Sequence, residues 1–238
     1  MPDIDVMAFG AHPDDIELGC GGTLIKLTDL GHTVALVDMV RGEMGTRGTV
    51  ETRQSESLRA AEIMGAVARE NLGLQDGHIH VSEEAKRRVA EVIRRCRPRV
   101  VLIPYYEDRH PDHYHTSHLA YEGTFMAGLT RYDTGQESYR PSRVIYYMGW
   151  YEFEPTFIVD ITDQFDRKIE AIMAYSTQFK PDNQLYTQTR LTSGEYHWLL
   201  VHRMAHYGSL IQKRYGEAFL IRGRMEVHDL LDIVFSSF

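Results

Sequence analysis

Two copies of His-Pro-Asp, at 12–14 and 110–112, each stand just behind a short apolar run, and no other feature constrains the fold as much. IDVMAFG (4–10) and RVVLIP (99–104) are too short for buried helices and lack polar alternation, as strands covered on both faces do. HTVALVDMV (32–40) reads as a third such strand, with a weak candidate near 70–72. Between them the spacing predicts helices over 21–31, through SESLRAAEIMG to Gly65, over 82–98 behind a Ser82 N-cap, and over 113–128. Strand-helix alternation of this kind predicts an α/β fold: a mostly parallel sheet with helices on both faces. RVIYYMG (143–149) and TFIVDIT (156–162) read as further strands, and 162–179 and 194–215 as helices. They are taken as additions to the same sheet, so 1–238 is expected to be one domain.

In such a sheet, ligands bind beyond the carboxyl ends of the strands, where the strand order reverses. AHPDD (11–15) and EDRHPDH (107–113) both lie at strand ends, so residues a hundred positions apart are expected at one crevice. His12 and Asp15, three apart around a proline turn, can face one point while Asp14 points elsewhere. A second imidazole completes two His and one carboxylate, the ligand pattern of catalytic zinc. His110 and His113 share the same spacing; one can ligate while the other faces the substrate. Asp14 is placed to act as general base, and Asp112 to fix an imidazole tautomer. A nucleotide cradle fits less well, because GCGG (19–22) lacks both the G-x-G-x-x-G spacing and a P-loop lysine.

The balance of charge, 26 Lys and Arg against 34 Asp and Glu for a net −8, argues against a nucleic-acid partner. Lys86, Arg87, Arg88, Arg94, Arg95, Arg97 and Arg99 do cluster, and are expected on a solvated helix face. There is no basic segment followed by an apolar one at the start, and no run long enough to span a membrane. Two cysteines, Cys20 and Cys96, form no disulfide framework and suit a reducing cytoplasm. Cys20 is expected to be packing.

HPDD-x-E-x-G-x-G-G-T followed by HPDH resembles the PIG-L/LmbE family of zinc-dependent N-acetylglucosamine deacetylases along essentially the whole chain. The resemblance implies a Rossmann-like fold and hydrolysis of the N-acetyl group of a small GlcNAc-containing molecule. DRHPDH, YSTQF (175–179) and YGEAF (215–219) are most similar to the branch acting in bacillithiol biosynthesis, which deacetylates N-acetylglucosaminyl-L-malate. Relatives acting on thiol S-conjugates or chitooligosaccharides give alternative substrates, and a non-catalytic nucleotide-binding module is the alternative of another class. By motif, the family pattern places zinc on His12, Asp15 and His113, with Fe(II) or Co(II) tolerated by the same donors. It makes Asp14 the base that activates water, and His110, oriented by Asp112, a cationic group that stabilises the oxyanion and protonates the leaving amine. A homo-oligomer, hexamers included, is also implied.

Arg53 and Arg109, with Arg47 as a weaker candidate, are expected to pair with substrate carboxylates. Glu17 is read either as support for a ligand histidine or as a helix N-terminal carboxylate. Tyr105, Tyr106 and Trp150 are candidates for stacking on a sugar, with core packing as the default. His115, His118, His197, His202 and His206 are read as packing or solvent-facing.

Overall fold

The computed structural model describes residues 4–181 and 185–229. Its centre is β1 (Val6–Gly10), buried along its whole length. Met7 and Phe9 point into the core on one face of the sheet, Val6 and Ala8 into the core on the other, as period-two alternation requires. On one side β1 pairs in parallel with β2 (Val34–Val40), which pairs with β3 (Ala68–Leu74). On its other side lies β4 (Val100–Pro104), which pairs in parallel with β5 (Arg143–Tyr147). Two more strands, β6 (Phe157–Asp160) and β7 (Gly216–Leu220), complete the order β3-β2-β1-β4-β5-β7-β6, with β7 antiparallel to both its neighbours. The chain thus reverses its direction of travel across the sheet between β1 and β4, and both HPD segments emerge there.

Helices α3 (Glu83–Cys96) and α4 (Pro111–Ala127) cover the face that buries Met7 and Phe9. The other face is covered by α1 (Asp15–Asp29), α2 (Val50–Met64) and α5 (Phe165–Met173), with α6 (Ser176–Phe179) and α7 (Gly194–Leu210) beside them. Among the described residues no helix is long and apolar enough to cross a membrane.

Several local expectations are corrected. Helix α1 starts at Asp15, not at 21, and breaks at Cys20 (φ −141, ψ 16). The break frees the N–H groups of Gly22 and Thr23, which donate to the buried Glu217 at 2.9 and 2.7 Å. Lys168 pairs with that carboxylate, and Cys20 is fully buried at the break. The apolar spacing over 21–31 is the second half of this helix, so a break repaired by a carboxylate nearly 200 residues away looked like a helix start. The expected helix over 162–179 is three pieces: a 3-10 turn at Thr162–Gln164, α5 and α6, with Tyr175 (ψ 64) between the last two. β7 follows the last helix and contains the GEAF of YGEAF, a strand that the residue pattern there does not announce. In the basic cluster Arg94 is buried, and its guanidinium donates to the carbonyl of Ala127 at the end of α4 and to those of Leu129 and Tyr132 beyond it. Its neighbours behave as expected: Lys86, Arg88 and Arg95 pair with Glu83, Glu84 and Glu70 at the surface.

Candidate metal centre

The first HPD segment leaves β1 through an uncommon backbone conformation. Asp14 has φ 124 and ψ −24, a region few non-glycine residues occupy, and such strain collects at functional sites. Its carboxylate does not cap α1; it lies 3.4 Å from the guanidinium of Arg53, which also donates to the Pro13 carbonyl. The next residue, Asp15, opens α1 and sits between two imidazoles, its Oδ2 3.3 Å from His12 Nδ1 and its Oδ1 3.3 Å from His113 Nε2. The backbone N–H of His12 also donates to Asp15. Ligand atoms of His12, Asp15 and His113 all lie within 4.8 Å of one another, close enough to hold one ion.

Each of these imidazoles has its second nitrogen on a carboxylate. His113 Nδ1 lies 3.1 Å from Asp108, whose oxygens also accept from the backbone N–H groups of His110 and Trp150. His12 Nε2 faces Asp76 at 3.2 Å and Asp112 at 3.3 Å. Asp76 in turn accepts from Met44 N–H, and Asp112 from Gly77 and Ile79 N–H. Carboxylate-His pairs of this kind orient metal ligands and raise their basicity. Asp76 and Asp108 escaped the sequence reading. Asp108 stood inside the quoted EDRHPDH run, five residues before its partner, whereas nothing local marks Asp76, 64 residues from His12.

Charge balance supports a cation at this point. Burial alone would lower the His12 pKa, but hydrogen bonds to Asp112, Asp15 and Asp76 carry it well above the usual value. His113 is raised against the same burial effect by Asp15 and Asp108. Asp15 is held low by His113 and His12 despite its burial. Protons thus offset surplus carboxylate charge, the place a divalent ion would take by displacing them. Asp14 differs: burial pushes it up to about 7, with Arg53 opposing the shift and the charge of Asp15 adding to it.

His110 caps α4, its Nδ1 accepting from the backbone N–H of Asp112 at 3.2 Å. An accepting Nδ1 leaves the proton on Nε2 of a neutral ring. Burial, then His113 and His12, lower its pKa. Asp112 contacts both rings: its carboxylate is on His12, and its backbone N–H is what reaches His110.

A cavity of about 480 Å3 opens over this cluster and brings together His12, Asp14, Asp15, His110 and His113 with Arg53, Arg109 and Arg190. Arg109 is exposed, its guanidinium 3.8 Å from the Trp150 ring centre. Arg53 is buried with its guanidinium on the Pro13–Asp14 segment, so it faces the candidate base rather than open solvent. Arg47 is buried as well; its guanidinium donates to the carbonyls of Thr177, Lys180 and Thr187, tying the 41–49 loop to α6 and the segment after it. Glu17 contacts neither ligand imidazole, but accepts from Arg69 and from the Tyr175 hydroxyl. Of the three aromatic candidates Trp150 lines the cavity, whereas Tyr105 packs on Tyr106 and Phe153. His197, His202 and His206 are exposed on α7, His202 stacked on Trp198.

The family model described as GlcNAc-PI de-N-acetylase, PIG-L, matches residues 7–123. A diacetylchitobiose deacetylase of Thermococcus kodakarensis is 34% identical over 193 residues, covering 74% of this chain and 71% of the relative. Among solved structures, a conserved protein of Thermus thermophilus superposes with a TM-score of 0.86 at 34% identity, over 94% of this chain and 98% of that one. The N,N'-diacetylchitobiose deacetylase of Pyrococcus horikoshii gives a TM-score of 0.81 at 30% identity, over 92% and 84% of the two chains.

Proposed function

The chain belongs to the PIG-L family, and from that premise we propose that it uses zinc held by His12, Asp15 and His113 to hydrolyse the N-acetyl amide of a small GlcNAc-containing glycoside. Relatives similar to it in sequence and structure are N-deacetylases of amino sugars, and the chain is a hydrolytic N-deacetylase of that class, although a mycothiol S-conjugate amidase and a 4-oxalmesaconate hydratase also resemble it. The observation that carries the assignment of residues is the convergence of the three ligand atoms in one cavity with Asp14 and His110.

The donor set fits zinc: two imidazoles and one carboxylate, with carboxylates behind both rings. A zinc ion there supplies Lewis acidity to the acetyl carbonyl and makes water acidic near neutral pH. Asp14, in carboxylate form and held by Arg53, takes the proton from the attacking water. His110 presents Nε2–H, which donates to the oxygen of the tetrahedral intermediate without carrying a charge. The proton held by Asp14 then passes to the leaving amine, and the carbon-nitrogen bond breaks.

For the aglycone we infer an anionic group, with N-acetylglucosaminyl-L-malate the substrate that fits. Arg109 and Arg190 flank Trp150 at 3.8 and 5.4 Å on the cavity wall, and neither has an acidic partner among the described residues. A neutral chitooligosaccharide is the second reading, favoured by the relative from Thermococcus kodakarensis. The deciding experiment measures acetate release from both substrates, with and without chelator, alongside metal analysis. Chelator-sensitive turnover with GlcNAc-malate preferred by at least about tenfold, lost through KM in Arg109→Ala, is the expected result. Equal loss on diacetylchitobiose in that variant would remove the carboxylate role of Arg109.

A further inference from the structure

A second, smaller cavity opens off the same two ligands, Asp15 and His113, and its character is different. It is lined mainly by apolar groups, Leu18 and Gly19 of α1, Tyr147 and Met148 at the end of β5, and Leu199 and Leu200 of α7, with one cation, Arg203 of α7, whose guanidinium is held by the Gly149 and Trp150 carbonyls. Arg53 and the 42–47 loop, which wall the large cavity, take no part in it. Gly19 is what lets Tyr147 form that wall, because a Cβ there would lie 2.3 Å from the tyrosine ring.

Two unlike cavities therefore meet at the candidate metal site, a polar one wide enough for a sugar and an apolar one suited to the other side of a scissile amide. The apolar recess holds about 50 Å3. One water-sized group needs about 10–15 Å3, so there is room for roughly three to five heavy atoms. An acetyl group places one carbon beyond its carbonyl. The recess is deeper than acetyl requires. Next to it lies a further cavity of about 30 Å3 that shares Leu18, Gly19, Met148, Leu200 and Arg203 and is also lined by the buried Lys168–Glu217 pair. An apolar chain long enough to reach that pair would desolvate it, which sets an upper limit on length.

We propose that this recess is an acyl pocket admitting unbranched acyl groups longer than acetyl, up to butyryl, so that the protein is a short-chain N-deacylase of amino sugars. The proposal rests on the deacetylase reading above and extends it. The chemistry is unchanged: water adds to the acyl carbon, the carbon-nitrogen bond breaks, the chain leaves as its carboxylate, and both water protons end on the amine, which leaves as an ammonium.

The test uses the zinc-loaded protein on one amino sugar carrying acetyl, propionyl, butyryl or hexanoyl. Propionyl and butyryl are expected within about tenfold of acetyl in kcat/KM, and hexanoyl at least about 100-fold below it. Turnover of acetyl with propionyl and butyryl more than about 100-fold slower overturns the proposal. If no amino sugar is deacylated, the hydrolase reading fails by itself, and the pocket is read from carboxylate binding instead. Butyrate is then expected to bind the zinc-loaded protein at least about fivefold more tightly than acetate, with its methyl group in contact with Leu18 and Leu200 by NMR; equal affinities overturn the pocket. Leu200→Trp should lower the butyryl-to-acetyl ratio at least about tenfold. Leu200→Ala, which cannot fail by overpacking, should raise the hexanoyl-to-acetyl ratio. Unchanged ratios in both variants also sink the idea.

Discussion

The two HPD segments share a tripeptide and a place at a strand end, yet the protein uses them in opposite ways. In both, the residue after HPD, Asp15 or His113, turns toward the candidate metal position. The aspartate inside HPD does not behave alike. Asp14 is strained, buried and pushed up to about 7, chiefly by that burial. Asp112 sits in an ordinary first turn of α4 and is held down to about 2, because its hydrogen bonds with His12, Gly77 and Ile79 and the charge of His12 outweigh its burial. One carboxyl is set to exchange a proton near neutrality; the other is fixed as an anion behind a ligand. Backbone conformation separates them: the positive φ at Asp14 points its side chain across to Arg53, away from the amides of its own helix.

Substitutions that erase this contrast have graded consequences. The largest is expected for Asp14→Asn, since asparagine tolerates positive φ but cannot take a proton. Its kcat should fall roughly 10²–10⁴-fold with bound zinc unchanged. Near wild-type kcat in that variant would take Asp14 out of the mechanism. Asp112→Asn should act in the other direction, weakening zinc affinity about 10–100-fold because His12 loses a carboxylate partner. Competition with a chelator of known affinity reads this directly, and an unchanged affinity would reduce Asp112 to a helix residue.

Stability against pH in the metal-free protein gives a smaller but cleaner signature. A carboxyl whose folded pKa is raised favours the fold at low pH and loses that contribution as pH rises from about 4, its unfolded value, through its folded value. For Asp14 that window closes near 7. Asp112, with its lowered pKa, contributes stability above about 4 that is lost as pH falls toward 2. Denaturant titrations at several pH values should therefore show Asp14→Asn flattening the decline between pH 4 and 7, and Asp112→Asn flattening the acid limb. Parallel curves for the two variants would mean that the two carboxyls do not differ as described.

The same division runs through what was legible beforehand. Short apolar runs announced β1, β2 and β4, because strands buried on both faces must be apolar throughout. The i, i+3 spacing of His12 and Asp15 announced a shared point, because one turn of backbone fixes it. The glycines of 19–22 lack the spacing of a phosphate cradle, and only the fold shows that two of them serve close packing: a Cβ on Gly19 would strike Tyr147, and one on Gly22 would strike Ile161. Arg47 looked like an anion receptor, but a sequence carries no record of whether a guanidinium finds carbonyls nearby, and Arg47 finds three. Arg53 has the Pro13 carbonyl and Asp14, lines the cavity and keeps a buried Nε without a hydrogen-bond partner among the described residues.

The sequence by itself determined the α/β alternation, the family, and the residues that stand at the ends of β1 and β4, since these depend on periodicity and on neighbours within one turn of chain. The tertiary structure alone decided which carboxylate stands behind which imidazole, where α1 breaks, and how an apolar recess comes to lie beside a polar cavity. Asp76 reaches His12 and Glu217 reaches Gly22 only because the sheet order places distant strand ends and helix starts side by side. Contacts of that separation are fixed by how whole elements pack, and no local pattern of residues encodes them.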